Sequence, residues 1–449
     1  MSESGDELET LMLAAAAADS RQYEESSEEC EEEPLPENVQ KSPPRTEKIH
    51  YYTEPEVPEP QKPNASPPPK KSLKRKLEED IQPQKFVKVS DTQESGSHAQ
   101  VVATHYNLIE DKGLDERSKS RIVYMRSFNN WIKSMLINEY LTKIKEGKKQ
   151  HNAPIRVLDM CCGKGGDLLK WKKGNISHLI CTDIAEVSLE HCKQRYADMK
   201  QRAQNERGWN AGNIFTMEII PGDCGKVRIR EKYNDPSIKL DLVSCQFAYH
   251  YSFESLSQAE CMLKNASECL QPGGYFIGTI PDSNEIIARA RKSGSSGFSN
   301  DILQVTLDFN INDPPLFGAK YDFHLDGVVN CPEFLVHFPT FVKLAKKFGL
   351  KLVMKEKFYE FFEKMKEEGK QLLNTMRAME SYPPHETATL AGDLDDYRHA
   401  EEFIKKQGNV KIGTLSKSEW EAASLYLTFA FVKVKNTSWN ADGTPNYDI

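Results

Sequence analysis

The stretch Ile155-Arg156-Val157-Leu158-Asp159-Met160-Cys161-Cys162-Gly163-Lys164-Gly165-Gly166, followed by helix-like residues 167–173 and a second apolar run, 178–181, that ends at Asp183, decides the fold. A short apolar strand stops at an acid, a glycine-rich turn leads into a helix, and a second strand again stops at an acid. Outward from this unit the texture repeats. A helix is expected over 185–206, strands near 214–220 and over 240–245, a helix over 257–270, a turn at Pro272-Gly273-Gly274 and a strand over 275–280. Strands alternating with helices predict an α/β fold, a parallel sheet with helices on both faces. Upstream, Ile122, Met125, Phe128, Ile132, Met135 and Leu136 recur near helical spacing within 118–145, about seven turns. Downstream, 301–330 alternates weakly around Pro314-Pro315, as an inserted β-hairpin would. A helix over 332–348 then leads into a strand over 350–359, and the charged stretch 363–412 carries no clear pattern. Ser416 and Glu419 match a capping box, and 425–434 reads as a closing strand.

The 449 residues carry a net charge of −8, and 38% are hydrophobic. The first 100 hold 22 acidic and 12 basic residues, half of the 24 prolines and only four aromatics, Tyr23, Tyr51, Tyr52 and Phe86. Too little apolar surface is available there to offset the entropy of ordering the chain, so 1–100 is expected to be a disordered acidic tail. Its basic cluster Lys70-Lys71-Ser72-Leu73-Lys74-Arg75-Lys76 reads as a nuclear localisation signal that an import receptor would take. The apolar run 11–18 follows acids rather than a basic segment, and no stretch reaches the roughly 18 apolar residues of a membrane span, so neither a signal peptide nor a membrane partner is expected. The ten cysteines lack CxxC spacing; neither disulfides nor a metal site is expected, and a reducing compartment fits, nuclear or cytosolic.

In open α/β sheets ligands bind beyond the carboxyl ends of the strands. The glycines at 163, 165 and 166 let the backbone turn sharply and approach a ligand. Asp183 is placed to accept from ribose hydroxyls, a feature shared by dinucleotide enzymes and S-adenosylmethionine (SAM) enzymes. Asp159 separates the two. Its carboxylate would repel a pyrophosphate at close range, whereas SAM has no phosphate and carries a sulfonium cation. The glycine spacing also fails G-x-G-x-x-G. SAM is therefore the expected cofactor, and an NAD-linked oxidoreductase the disfavoured alternative.

Longer motifs carry a resemblance. Phe128-Asn129-Asn130-Trp131-Ile132-Lys133-Ser134, the run Cys162–Trp171 with Gly163-Lys164-Gly165-Gly166-Asp167-Leu168-Leu169-Lys170 inside it, and Cys181-Thr182-Asp183-Ile184-Ala185 resemble the eukaryotic mRNA cap guanine-N7 methyltransferase family. So do Ser244-Cys245-Gln246-Phe247 with His250-Tyr251-Ser252-Phe253-Glu254, Pro272-Gly273-Gly274-Tyr275-Phe276, and Gly413-Thr414-Leu415-Ser416-Lys417-Ser418-Glu419-Trp420. The resemblance covers about 105–434. It implies a class I, Rossmann-like SAM-dependent methyltransferase sheet with added hairpin and helical elements, a catalytic domain over 101–435 and a short tail over 436–449. Lys133, Asp183, Asp223, Gln246 and Tyr251 match positions that hold SAM. Cys161 stands where the family has glycine, so its side chain is expected to crowd the methionine half of SAM or to force an unusual φ. Asn129, Asn130, Lys164, Lys170, Arg195, His250, Glu333 and Tyr426 match positions that hold the cap. By themselves Lys170 and Arg195 would read as solvated helix charges and Tyr426 as an inward strand residue.

The implied reaction moves a methyl group from SAM to N7 of the terminal guanosine of capped mRNA. N7 has an exposed lone pair and no proton to lose, so no general base and no metal is expected; in-line placement does the work, supported by Glu333 and His250. The implied partners are the capped mRNA 5′ end, a small activating subunit, RNA polymerase II and importin, in the nucleus, with no homo-oligomer. Where an exocyclic-amine methyltransferase would carry Asn/Asp-Pro-Pro-aromatic, this chain has Cys245-Gln246-Phe247-Ala248, and Cys331-Pro332 reverses the Pro-Cys of a cytosine-C5 enzyme. The alternative from another class is an RNA-binding scaffold on an inactive methyltransferase fold.

Overall fold

A computed structural model of the chain describes residues 98–108, 119–150, 152–205, 214–408, 410–435, 438–440 and 445–446. The expected nuclear signal, the apolar run 11–18 and the tail up to residue 97 lie outside them. The tail boundary itself shifts, because a helix, α1 (His98–Leu108), begins inside the segment expected to be disordered.

The central sheet contains β1 (Arg156–Met160), β2 (His178–Asp183), β3 (Thr216–Pro221), β4 (Leu240–Gln246), β5 (Leu270–Pro281) and, after an inserted sheet, β10 (Leu350–Lys357) and β13 (Tyr426–Lys433), with the short antiparallel pair β11 (Glu380–Tyr382) and β12 (Ile412–Thr414) between them in the chain. Their order across the sheet is β10-β13-β5-β4-β1-β2-β3. β1 to β5 run parallel, and β13 alone is antiparallel to its neighbours β5 and β10. This is the α/β sheet that the opening unit predicts. Both faces are covered. Val157, Leu179, Leu242 and Ile277 pack into one apolar layer with the helix α2 (Val123–Gly147), while Leu158, Ile180, Val243 and Phe276 pack into another with the helices α5 (Leu256–Ser267) and α7 (Phe338–Lys347). The period of two along each strand sends neighbours to opposite layers, which is why these strands read as mainly apolar runs. Between β1 and β3 lie α3 (Leu168–Lys173) and α4 (Glu186–Asn205). A further helix, α6 (Ser283–Ser293), follows β5.

Three expectations need correction. The weak alternation over 301–330 belongs to a four-stranded antiparallel sheet, not a hairpin: β6 (Gly297–Ser299), β7 (Leu303–Leu307), β8 (Lys320–Leu325) and β9 (Val329–Phe334). Residues 332–334 are strand rather than helix, since Glu333 pairs across with Tyr321 on β8, and α7 starts only at Phe338, with Pro339 in its first turn. The turn at Pro272-Gly273-Gly274 is absorbed into β5, where the register with β4 slips between Leu240 and Leu242 and Gly273 takes φ +82°.

The stretch 363–412 is ordered by polar ties to the start of α2. Trp131 Nε1 donates to Gly369 O at 2.9 Å, and Arg121 reaches Asp396 Oδ2 at 2.6 Å and Ser416 Oγ at 3.1 Å. The expected capping box is present: Ser416 Oγ accepts from Glu419 N, and Glu419 Oε2 accepts from Ser416 N at 3.1 Å, while Glu419 Oε1 also accepts from Met125 N on α2. Near the end of the chain, Ser438–Trp439 and Pro445–Asn446 form a short antiparallel ladder.

Candidate active site

The strand order reverses direction between β1 and β4, the switch point beside which doubly wound sheets bind ligands. Met160 lies opposite Thr182 on β2 and Cys245 on β4, so the residues just beyond these positions, Cys161, Asp183 and Gln246, reach one edge together. A cavity of about 840 Å³ opens there. All six residues assigned to SAM line it: Lys133, Cys161, Asp183, Asp223, Gln246 and Tyr251.

The glycine loop is held against the strand ends. Cys162 N donates to Thr182 O at 3.0 Å, and Asp183 accepts from Gly163 N and Ala185 N, both at 2.8 Å. Burial pushes the Asp183 carboxyl up while these backbone donors pull it down. Each carboxylate oxygen keeps lone pairs for a ligand hydroxyl. Gly163 and Gly165 take φ of +53° and +73°, and a Cβ on Gly165 would meet Cys192 Sγ and Leu168 Cδ1 at 2.8 Å. Cys161 takes φ +55°. The unusual φ expected of a side chain at a glycine position is present, at a cost of about 1–3 kcal/mol. Gln246 gives its amide NH to Ser244 Oγ at 3.0 Å, leaving Oε1 buried without a hydrogen-bond partner among the described residues. An acceptor left bare in a cavity wall suits a donor on a bound group, and with Asp183 it fits an adenosine-bearing cofactor such as SAM.

Asp167, at the start of α3, is the electrostatic hub. Burial raises its carboxyl, but Lys133 and Lys170, each at 2.8 Å, outweigh this and hold it well below the usual carboxylate range. Asp159 responds in the opposite sense: burial and the charge on Asp167 push it up to about 8, against a 3.1 Å hydrogen bond from Trp171 Nε1. Two buried acids side by side are thus pushed in opposite directions, Asp159 toward its neutral form and Asp167 toward the anion. Asp159, read from the sequence as the mark against pyrophosphate, is the acid whose charge these surroundings disfavour.

The residues assigned to the cap fall into two groups. Asn130, Lys164 and Arg195 line the cavity. Asn129, Lys170, His250, Glu333 and Tyr426 do not. Lys170 is neither solvated nor turned to the cavity; it pairs with Asp167, bonds Asn130 Oδ1 and approaches Gly166 O at 3.3 Å, and burial lowers its pKa. Asn129 Oδ1 is buried without a hydrogen-bond partner among the described residues. His250, Glu333 and Tyr426 form a buried nest beside the cavity. Tyr321 OH donates to Glu333 Oε2 at 2.6 Å, His250 Nε2 lies 3.3 Å from Glu333 Oε1, and the His250 and Tyr251 rings are 4.3 Å apart. Among the described residues neither His250 nitrogen has an aligned hydrogen bond, so the nest holds unmet polar capacity next to an acid. Because β13 runs antiparallel, its first residue, Tyr426, lies opposite Pro281, at the carboxyl end of β5.

Several site residues were not foreseen. Phe247, which lines the cavity, holds φ +57°, rare for an aromatic residue, and its ring meets Tyr426 edge-on at 5.0 Å. Its backbone N donates to Thr279 O at 3.0 Å, which fixes the turn; no sequence signal announces it. From α1, Tyr106 OH lies 3.3 Å from Tyr251 OH, and His98 pairs with Glu254 at 3.0 Å. Asp167 had a signal, an acid at a helix start just past three glycines. Cys162, Cys181 and Cys192 bring their sulfurs within 4.8 Å of one another, a cluster that no local spacing reveals.

Residues 89–434 match the model of the mRNA (guanine-N(7))-methyltransferase domain. A Drosophila melanogaster protein named mRNA cap guanine-N(7) methyltransferase is 52% identical over 355 residues, 79% of this chain and 81% of its own length. The Caenorhabditis elegans protein of the same name is 39% identical, covering 77% and 89%, and the rice mRNA cap guanine-N(7) methyltransferase 1 is 36% identical, covering 76% and 83%. The resemblance over 105–434 thus extends 16 residues further upstream, taking in α1. With strand order, cavity and loop in agreement, the chain belongs to the mRNA (guanine-N(7))-methyltransferase domain family.

Proposed function

We infer that the chain methylates N7 of the guanosine that closes the 5′ cap of mRNA, with SAM as methyl donor. The observation that carries this reading is the cavity at the switch point, where the glycine loop, Asp183 and Gln246 share walls with Asn130, Lys164 and Arg195. SAM supplies a methyl group on a sulfonium sulfur, which leaves with the electron pair of the broken C–S bond. The chain's own residues position and balance charge. Asp183 and Gln246 accept from the cofactor's hydroxyl and amino groups, with Asp223 beside them and Tyr251 closing the wall. Lys164 and Arg195 offer cations to the triphosphate. Glu333 accepts from the guanine edge and faces the positive charge that the base acquires, with His250 and Tyr426 beside it. Lys170 acts indirectly, by holding Asp167 and Asn130 in place. No side chain has to remove a proton from N7.

The catalytic domain, expected over 101–435, is assigned to 98–435 so as to take in α1, with 1–97 as a tail that carries the nuclear signal and 436–449 as a short terminal segment. The nucleus is the proposed location. A small activating subunit, RNA polymerase II and importin are the proposed partners beyond capped RNA. The scaffold reading has no observation in its favour.

The test is incubation of the pure chain with SAM and RNA ending in unmethylated GpppN, followed by nuclease digestion and mapping of the methyl group. N7-methylguanosine is the expected product. Methyl transfer to a ribose hydroxyl or an exocyclic amine, or none at all, would refute the assignment.

A further inference from the structure

We propose that Cys162, Cys181 and Cys192 bind a thiophilic d10 metal ion, Zn2+ or Cu+, at the root of the glycine loop. The three sulfurs lie within 4.8 Å of one another and come from three separate elements: the loop after β1, the middle of β2, and α4. All three are free thiols. In a tetrahedral Zn–thiolate site, bonds of about 2.3 Å set sulfur separations near 3.8 Å. The trio therefore needs to contract by only about 1 Å, less than a sulfur moves when one cysteine changes rotamer.

A single buried cysteine is an ordinary small apolar side chain, and three scattered ones would carry no message. Here the sulfurs converge, and the surroundings add two features. Cys162 is only half-buried and lines the large cavity, which gives an ion a way in and leaves an open position facing that space. Behind the trio, the Met217 thioether on β3 lies 4.0 Å from Cys181 Sγ, so the donor set is soft throughout, which favours Cu+ and Zn2+ over hard ions.

The placement has a consequence. Cys162 immediately precedes the glycines, a Cβ on Gly165 would sit 2.8 Å from Cys192 Sγ, and Cys192 stands one turn before Arg195 on α4. An ion held by the trio would tie the loop to the helix that presents Arg195, stiffening the wall shared by the two halves of the cavity. An ion that binds the folded chain better than the unfolded one also raises its melting temperature.

The experiment uses the full, reduced, metal-free chain. In one arm Zn2+ is titrated against a chromophoric chelator; in the other, without oxygen, Cu+ is titrated against a Cu+-selective chelator, so the arms decide which ion is held. The expected result is one ion per chain and a raised melting temperature in at least one arm. Cys162→Ser and Cys192→Ser should each lower the affinity at least tenfold, and Cys261→Ser should leave it unchanged. If buried Cys192→Ser fails to fold, Cys162→Ser, in a half-exposed loop, decides alone. The proposal is overturned if neither ion binds at one per chain. It is also overturned if binding survives Cys162→Ser, or is lost instead in Cys224→Ser, because Cys224 and Cys245 neighbour the Cys161 thiol and would then hold the ion.

Discussion

The two halves of the site are built differently. The cofactor half comes from the carboxyl ends of β1, β2 and β4, neighbours in one parallel ladder whose register brings Cys161, Asp183 and Gln246 to a common edge. The guanine half comes from the turn after β4, from β9 in the inserted sheet, and from β13. Glu333 reaches His250 from 83 positions along the chain, and Tyr426 enters from the antiparallel strand. The first half is open, with every assigned residue in the cavity wall; the second is a closed nest in which His250 and Glu333 are almost fully buried. A parallel sheet thus supplies a cofactor site almost automatically, whereas the base-reading groups depend on an insertion folding back over the sheet edge.

If the halves are separate, substitutions should fail in separate ways. The largest effect is expected from Glu333→Gln. It keeps the shape but removes the charge that faces the methylated base, and the transition state should lose about 2–4 kcal/mol. Steady-state kinetics should show kcat lowered, with the Michaelis constant for SAM little changed; wild-type kinetics would remove Glu333 from the site. Next comes Asp183→Ala. It strands the donors Gly163 N and Ala185 N and deletes the ribose acceptor, for about 1–3 kcal/mol, expected as a raised Michaelis constant for SAM. An effect confined to the cap constant would break the comparison.

The two lysines sharpen it. Lys164→Ala should weaken cap binding by about 1 kcal/mol and reduce the slope of log affinity against log salt by about one, as for the loss of one phosphate contact. Lys170→Ala should leave that slope nearly intact and lower the melting temperature, because it releases the buried Asp167 charge. A full salt slope in Lys164→Ala would contradict its role. The smallest effect is expected from Cys161→Gly. Relief of the φ +55° strain is worth about 1 kcal/mol, seen as a higher melting temperature and a lower Michaelis constant for SAM. No change in either would mean that the loop holds the thiol without penalty.

The same contrast explains what could be read beforehand. The strand–loop–helix unit at 155–183 and its repeats were legible because burial on both faces makes a parallel strand a mainly apolar run, and because Asp159 and Asp183 stand at or beside the ends of β1 and β2. The insertion was not. Its strands alternate buried and exposed only over short lengths, so β9 merged with the helix that follows, and Glu333 was assigned by resemblance while its surroundings went unread. Phe247 was invisible for another reason: its backbone conformation is imposed by hydrogen bonds to Thr279, 32 positions away. By helical position alone Lys170 reads as a solvated cation, whereas the structure draws it inward onto Asp167. The thiol cluster depends on the register of β1 with β2 and on the seat of α4, information held by no local pattern.

The separability of the halves is tested most directly by calorimetric titration of SAM into wild type and Glu333→Gln, without RNA. The account predicts one SAM bound per chain in both, with equal dissociation constants, although the variant turns over capped RNA far more slowly. Failure of the wild type to bind SAM, or weakening by Glu333→Gln as large as its loss of turnover, would contradict it.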